Sequence, residues 1–237
     1  MNANLSLALR ATAKRVLRVK SWNSDEDHKR LVPAPRVIFD IGANVGQTVD
    51  RYRRLYPSAG IYCFEPVPST FAELKRHTAR DPLTRCFQIA FCDQVSTATM
   101  NIQRTHSGGN SLLQPVEAGR TTSRIQVPTA TIDAFCEKEG IFGVDILKVD
   151  AEGAEQSIFR GAARMFSRRA IRFVFMEVCF RPQYVGMALF QDLDADLKRA
   201  GFRLYRLYNL TPGVDERLFM ANALYDLDDS NGASCPV

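Results

Sequence analysis

The sequence predicts an α/β domain, a mostly parallel sheet with helices on both faces and one reversed strand near an edge. Three observations carry that expectation. Short apolar runs alternate with stretches whose apolar residues recur at helical spacing. Several of these runs stop at an acid followed closely by glycine or proline, as where a strand gives way to a turn and a helix. The last two runs are instead joined by a turn-rich stretch, which makes them an antiparallel pair.

The first run, Val37-Ile38-Phe39-Asp40-Ile41, leads into Gly42-Ala43-Asn44-Val45-Gly46 and reads as strand, tight turn and helix start. The second, Ile61-Tyr62-Cys63-Phe64-Glu65, is stopped by Pro66. In an open α/β sheet ligands sit outside the carboxyl ends of the strands, and an acid ending the second strand can accept both ribose hydroxyls of a nucleoside-bearing cofactor. Glu65 is that acid. A dinucleotide site uses G-x-G-x-x-G so that backbone can approach a pyrophosphate. Here Asn44 interrupts the pattern, and Asp40 puts negative charge where a pyrophosphate would lie. S-adenosylmethionine suits the segment better. It has no phosphate, its sulfonium and ammonium groups favour carboxylates, and its methionyl carboxylate can use the exposed N–H groups of the turn and helix start. The plainer alternative is a βα turn with glycine for geometry alone.

Helical spacing follows each of these strands, over 51–55 and over 68–80, where Phe71 and Leu74 share a face. Cys86-Phe87-Gln88-Ile89-Ala90-Phe91 is expected to be a third strand ending near Asp93, with additional short strands over 97–103 and 124–129. Between those two lies a polar, glycine-rich loop, Thr105-His106-Ser107-Gly108-Gly109-Asn110-Ser111, long enough to be functional. Val144-Asp145-Ile146-Leu147-Lys148-Val149-Asp150 then runs straight into the acids of Ala151-Glu152-Gly153-Ala154-Glu155. Ile171-Arg172-Phe173-Val174-Phe175-Met176-Glu177 again finishes in an acid. Asp40, Glu65, Asp150 and Glu177 together outline an acidic rim; Glu155 is better explained as a helix N-terminal residue. A helix over 192–200, closed by Gly201, precedes strands over 202–207 and 217–225, joined through Asn209, Pro212 and Gly213.

Composition sets the frame. The 237 residues suffice for one domain with a full core, and 46% hydrophobic and 24% charged residues are ordinary globular values. Expected boundaries are an N-terminal helical extension over 1–35, the main domain over 36–228 and a flexible tail over 229–237. The net charge of +5 is spread rather than gathered in a tract. The six cysteines form no C-x-x-C pair and no ligand group with His28, His77 or His106, so no zinc site is expected. Cys63 and Cys179 lie in apolar runs as small core residues, which suits a reducing cytoplasm. No segment is apolar for long enough to span a bilayer. Residues 5–17 have helical spacing with a basic face. They offer weak contact with anionic lipid or a partner, although a helix packed on the domain or covering a cleft is the plainer expectation.

The segments Phe39-Asp40-Ile41-Gly42-Ala43-Asn44-Val45-Gly46-Gln47-Thr48, Phe64-Glu65-Pro66, Gly109-Asn110-Ser111, Thr131-Ile132-Asp133 and Leu147-Lys148-Val149-Asp150-Ala151-Glu152-Gly153-Ala154-Glu155 resemble, in order and spacing, the motif series of FkbM-type S-adenosylmethionine-dependent O-methyltransferases. The resemblance spans about residues 36–226. It departs at Val149 and Ala151, where isoleucine and valine are common, and at Leu112, where a second serine is frequent. It implies a Rossmann-like class I methyltransferase with a mostly parallel seven-stranded sheet, acting on a hydroxyl of a sugar or polyketide-type small molecule. Asp40, Gly42, Asn44 and Gly46 would cradle the methionyl end, Glu65 would hold the ribose and Asp93 would lie near the adenine. Asn110, Ser111 and Glu177 would face the substrate.

An aliphatic alcohol needs a base as it attacks. Asp150 is the leading candidate, Glu152 the second and His106 the third, His106 having the most suitable ordinary pKa. Arg181 and Tyr184 are open to two readings, substrate contacts or an ion pair and a core aromatic. Asp150, Glu152 and Glu177 also allow a magnesium-assisted mechanism, which is not favoured. A nicotinamide oxidoreductase is disfavoured by the missing glycine, and nucleic acid by the lack of aromatic-basic interleaving. A methyltransferase fold acting only as a binding module is the non-enzymatic alternative. The sequence is compatible with a monomer or a homodimer.

Overall fold

Glycine- and proline-stopped apolar runs become strands, and the amphipathic stretches between them become the covering helices. The structure, a computed structural model, describes residues 23–103 and 107–228. Residues 5–17, His106, Cys235 and 229–237 lie outside the described residues. In chain order come α1 (Ser24–Leu31), β1 (Val37–Ile41), α2 (Gln47–Leu55), β2 (Gly60–Phe64), α3 (Pro68–His77), β3 (Thr84–Phe87), β4 (Ala90–Phe91) and β5 (Ser96–Gln103). A short 3₁₀ turn (Ser107–Gly109) precedes β6 (Thr121–Ala130), α4 (Ile132–Glu139), β7 (Val144–Val149), α5 (Glu155–Arg160), α6 (Ala163–Ser167), β8 (Ile171–Cys179), α7 (Phe190–Arg199), β9 (Phe202–Pro212) and β10 (Leu218–Leu227).

Seven strands form the main sheet in the order β3-β2-β1-β7-β8-β10-β9. All pair in parallel except β10, which runs antiparallel to both β8 and β9. This is the α/β class I methyltransferase architecture, with its single reversed strand one place in from the edge. Its central strands are buried on both faces, which explains their nearly unbroken apolar sequences. Ile38, Ile61, Ile146 and Phe173 meet Val49 and Tyr52 of α2 and Leu74 of α3 on one side. Phe39, Phe64, Leu147 and Val174 meet Phe135 of α4, Ile158 of α5 and Leu197 of α7 on the other. Cys63 and Cys179 are buried.

The expected third strand over 86–91 is in fact two. β3 ends at Phe87, and β4 leaves the main sheet to pair with Thr129 and Ala130 of β6. Phe87 packs on Phe64, whereas Ala90 joins Met100 and Val127 in a separate small core, so one apolar run serves two cores. The strands anticipated over 97–103 and 124–129 are longer, and with β4 they form a second, three-stranded sheet in the order β4-β6-β5. Asp40 and Glu177 do not end their strands; each is followed by further strand residues. Asn209 lies within β9, so the turn to β10 begins later than expected. Thr131-Ile132-Asp133 has an architectural explanation. Thr131 caps α4 by accepting from Ala134 N at 3.0 Å, and the Asp133 carboxylate accepts from Arg164 N and Met165 N at the start of α6.

Candidate active site

The carboxyl ends of β1, β2 and β7 and the inner face of the small sheet form a cavity that opens to solvent. Gly42 and Asn44 line it from the first turn, Glu65 and Val67 from the second, and Asp150 and Glu152 from the turn after β7. Ile89, Phe91 and Met100 give it an apolar wall. Gly42 has a positive φ of 73°, and a Cβ there would stand 1.8 Å from the Asp150 carbonyl oxygen. Only glycine lets the β1 turn close against β7.

Several amides of that turn are already committed. Gly42 N and Ala43 N both donate to Phe64 O at 3.0 Å, Gly46 N to Ala43 O at 2.9 Å and Asn44 N to Glu65 Oε2 at 3.2 Å. These four hold the turn together, so of the N–H groups expected to meet a ligand carboxylate they are already used within the chain. Glu65 is organised instead: Oε2 takes Asn44 N and Oε1 takes Val67 N at 2.9 Å, leaving a further lone pair on each oxygen. Burial pushes this carboxyl up to about 7 against the pull of the two amides.

Asp40 does not line the cavity. It is fully buried beneath the turn, where Lys148 Nζ pairs with Oδ1 at 2.9 Å. The same ammonium donates to Gly42 O at 2.9 Å and stands 3.7 Å from Asp150 Oδ2. Burial opposes the charge on Lys148, but the two carboxylates outweigh it and hold its pKa above the ordinary lysine range. Lys148 therefore ties the glycine turn to the acid at the cavity edge. Sequence reasoning missed it, although a charge in a strand buried on both faces demands a partner, and Asp40 lies directly opposite in the β1–β7 register.

Gly46 caps α2 and stands away from the cavity, under His77. Asp93 pairs with Arg160 at 3.0 Å, and Ile89–Phe91 rather than Asp93 form the cavity wall there. Asn110 lines the cavity, its Oδ1 accepting from Gln103 N at 2.9 Å. Ser111 is buried behind it, with Oγ donating to the Glu152 carbonyl at 2.6 Å. Arg181 pairs with Asp215 at the surface.

Asp150, Glu152 and Glu177 converge, one carboxylate oxygen from each lying within 4.8 Å of the others. Glu152 has a positive φ of 52°, and its Oε2 accepts from the Tyr184 hydroxyl at 2.7 Å. Burial pushes Glu152 up to about 7, Tyr184 opposing and Asp150 adding to the rise. Burial, followed by the negative charges of Asp150 and Glu152, takes Glu177 up to about 8. Glu177 and Glu152 also share a smaller adjoining cavity with Cys179, Gln183 and Tyr184.

The sequence profile of the methyltransferase FkbM domain matches residues 40–204, well over half of the chain. The chain belongs to the FkbM methyltransferase family. It is an S-adenosylmethionine-dependent methyltransferase, and the cavity residues fit that cofactor: apolar walls, a buried carboxyl with lone pairs to spare and two further acids, Asp150 and Glu152. The 2-O-methyltransferase NoeI of Sinorhizobium fredii is 26% identical over 186 residues, covering 70% of this chain and 74% of that protein. The hexuronic acid methyltransferase AglP of Haloferax volcanii is 22% identical, covering 70% and 67%. The 31-O-demethyl-FK506 methyltransferase FkbM of Streptomyces tacrolimicus is 20% identical, covering 53% and 58%. Among solved structures, the magnesium protoporphyrin IX methyltransferase of Synechocystis superposes with a TM-score of 0.49 at 10% identity, covering 86% of this chain and 77% of that one. Among the described residues of this FkbM methyltransferase, no helix is long and apolar enough to cross a membrane.

Proposed function

We propose that this enzyme methylates a hydroxyl of a small-molecule acceptor, a sugar or a glycosylated or polyketide-type metabolite, and that Glu152 is the general base. The observation that carries the reading is a carboxyl on the cavity wall, poised near neutrality by burial and held by one hydroxyl donor. When bound, S-adenosylmethionine supplies an electrophilic methyl on a sulfonium. Glu65 accepts the ribose hydroxyls on the lone pairs its two amide bonds leave open. Asp150 presents a carboxylate at the cavity mouth, suited to an ammonium or an acceptor hydroxyl. Glu152 takes the acceptor proton at a carboxylate oxygen, leaving the electron pair on the acceptor oxygen as its nucleophilicity is needed. Glu152 is held for this by a neutral hydroxyl, whereas Asp150 is paired with Lys148. Convergent carboxyls accept hydrogen bonds from neighbouring hydroxyls, which suits a polyol. The names of the relatives support the class: a 2-O-methyltransferase, a hexuronic acid methyltransferase and a 31-O-demethyl-FK506 methyltransferase. The five described cysteines are free thiols, in keeping with a reducing compartment, and we place the enzyme in the cytoplasm.

Calorimetric titration of S-adenosylmethionine and S-adenosylhomocysteine tests the cofactor side, with binding expected in the wild type and lost in Glu65→Ala. A panel of neutral, amino and uronic acid glycosides then tests the acceptor class. The three acids also have the hard oxygen donors that suit magnesium. Turnover unchanged by a chelator supports proton transfer to Glu152 alone; turnover abolished by it and restored by magnesium assigns the trio to a metal.

A further inference from the structure

Tyr184 lies outside every motif of the family resemblance, yet it is 1% exposed and its hydroxyl meets three groups from three parts of the chain. Its oxygen is 2.7 Å from Glu152 Oε2, 3.1 Å from the Gly109 carbonyl and 3.3 Å from Gln103 Nε2. Gln103 can only donate there, so the phenol accepts one hydrogen bond and has a single O–H to give to two acceptors. Gln103 ends β5 of the small sheet and is itself buried. The segment carrying Tyr184 is strapped to the 114–116 stretch, with Val116 N donating to Gln183 O at 2.9 Å and Val185 N to Gln114 O at 2.8 Å. Gly153, with φ of 97°, leaves the phenol room: a Cβ there would come within 3.2 Å of the Tyr184 ring, Leu113 and Met187. Ser111 meanwhile holds the Glu152 carbonyl. Glu152 is thus fixed at both ends by parts of the chain outside the main sheet.

We propose that Tyr184 is a positioning residue whose O–H holds the Glu152 carboxylate at the cavity wall and turns to the Gly109 carbonyl when Glu152 takes up a proton, with Gln103 keeping the phenol in place. In the ionised state the O–H is given to Glu152. In the protonated state the carboxylic O–H is given to the phenol oxygen, and the phenol proton goes to Gly109. Both protonation states are then satisfied without moving a side chain, as a group that loads and unloads a proton each turnover requires. The charged groups facing Glu152 are Asp150 and Glu155 of its own turn, Glu177 of β8 and Arg120 before β6, and none of them is altered by removing the hydroxyl.

The catalytic arm of the test rests on the reading of Glu152 as base; the spectroscopic arm does not. The full chain is labelled with ¹³C at glutamate carboxyls and titrated by NMR, Glu152 being assigned by the Glu152→Gln spectrum. Tyr184→Phe removes one donor to the ionised form, and the Glu152 midpoint is expected to rise by about 0.5–1 pH unit. Gln103→Leu keeps the phenol but loosens it; a smaller rise is expected and carries the test if Tyr184→Phe does not fold. An unchanged midpoint in a folded variant overturns the proposal. The acidic limb of the kcat profile should move upward with the midpoint. A midpoint that moves while the limb stays put leaves Tyr184 as the holder of Glu152 and removes Glu152 as the base.

Discussion

At the scale of single residues, the site is built from charges whose ordinary behaviour has been altered by burial. Glu65 is 7% exposed and burial takes it up to about 7, whereas the ribose hydroxyls we propose it binds would donate best to its ionised form. Binding then competes with the proton. The affinity for S-adenosylhomocysteine is expected to fall as the pH drops below 7, by up to about tenfold per unit. Calorimetry at pH 5.5, 6.5 and 7.5 reads this directly, and a flat response would remove Glu65 from the ribose site. Lys148 makes a complementary case. Replacing it by methionine leaves Asp40 buried without its cation, a change that typically costs about 3–5 kcal/mol. Urea unfolding should show that loss in Lys148→Met and recover most of it in Lys148→Met/Asp40→Leu, where no buried charge is left. Recovery of stability without recovery of cofactor binding would show that the pair shapes the glycine turn rather than merely holding the fold.

At the scale of elements, the sequence was legible wherever one run served one purpose. β1, β2 and β7 are largely apolar because both faces are covered, and a glycine or proline within a few residues of each end marks the turn. The run over 86–91 misled because it feeds two cores, and apolar periodicity contains no sign of the break at Gln88 and Ile89. Asp40 misled because a carboxylate near a strand end suggests a ligand, and only the register with Lys148 shows that it is neutralised from below. Tyr184 could not be placed from sequence, since its partners lie 32, 75 and 81 positions away. A similar long-range device holds α1. Its Asp27 accepts from Arg206 at 2.7 Å and Tyr208 at 2.8 Å on β9, and from Arg30 at 2.8 Å. Burial acts upward on this acid, but those donors outweigh it and hold its pKa below the ordinary aspartate range. Stability from Asp27 is therefore present above the unfolded pKa of about 4 and lost as pH falls through the lower folded value. Asp27→Ala is expected to cost about 3 kcal/mol at pH 7, a drop of about 6–12 °C in Tm. A calorimetric scan that shows no drop would mean that α1 is held by its apolar contacts alone.

Across the whole molecule, the fold gathers three glutamates, Glu65, Glu152 and Glu177, at the carboxyl edge of one sheet and raises all of them, to about 7, 7 and 8. Burial is the largest cause in each, and neighbouring carboxylates add to it: Asp40 at Glu65, Asp150 and Glu155 at Glu152, and these two with Glu152 at Glu177. A folded state that keeps its protons while the unfolded chain has lost them becomes less stable as pH rises. The loss sets in above the ordinary glutamate value of 4.5, accumulates up to about pH 8 and is complete above it. His28, pushed down to about 4 by burial and then by Arg51, works in the opposite sense, but its effect ends near its ordinary pKa of 6.5. Cys86 also opposes the glutamates, held down to about 6 first by the thiol of Cys63. The net slope mixes these terms, so a difference between two proteins isolates the glutamate share. Glu177→Gln carries no charge at any pH, and relative to the wild type it should gain stability between pH 6.5 and 8.5, by about 2–5 °C in Tm at the upper end. A difference that stays constant across that range would mean that Glu177 is already ionised at neutral pH. A growing difference would show that burying Glu177 beside Asp150 and Glu152 costs stability, the arrangement expected where proton uptake is part of the chemistry.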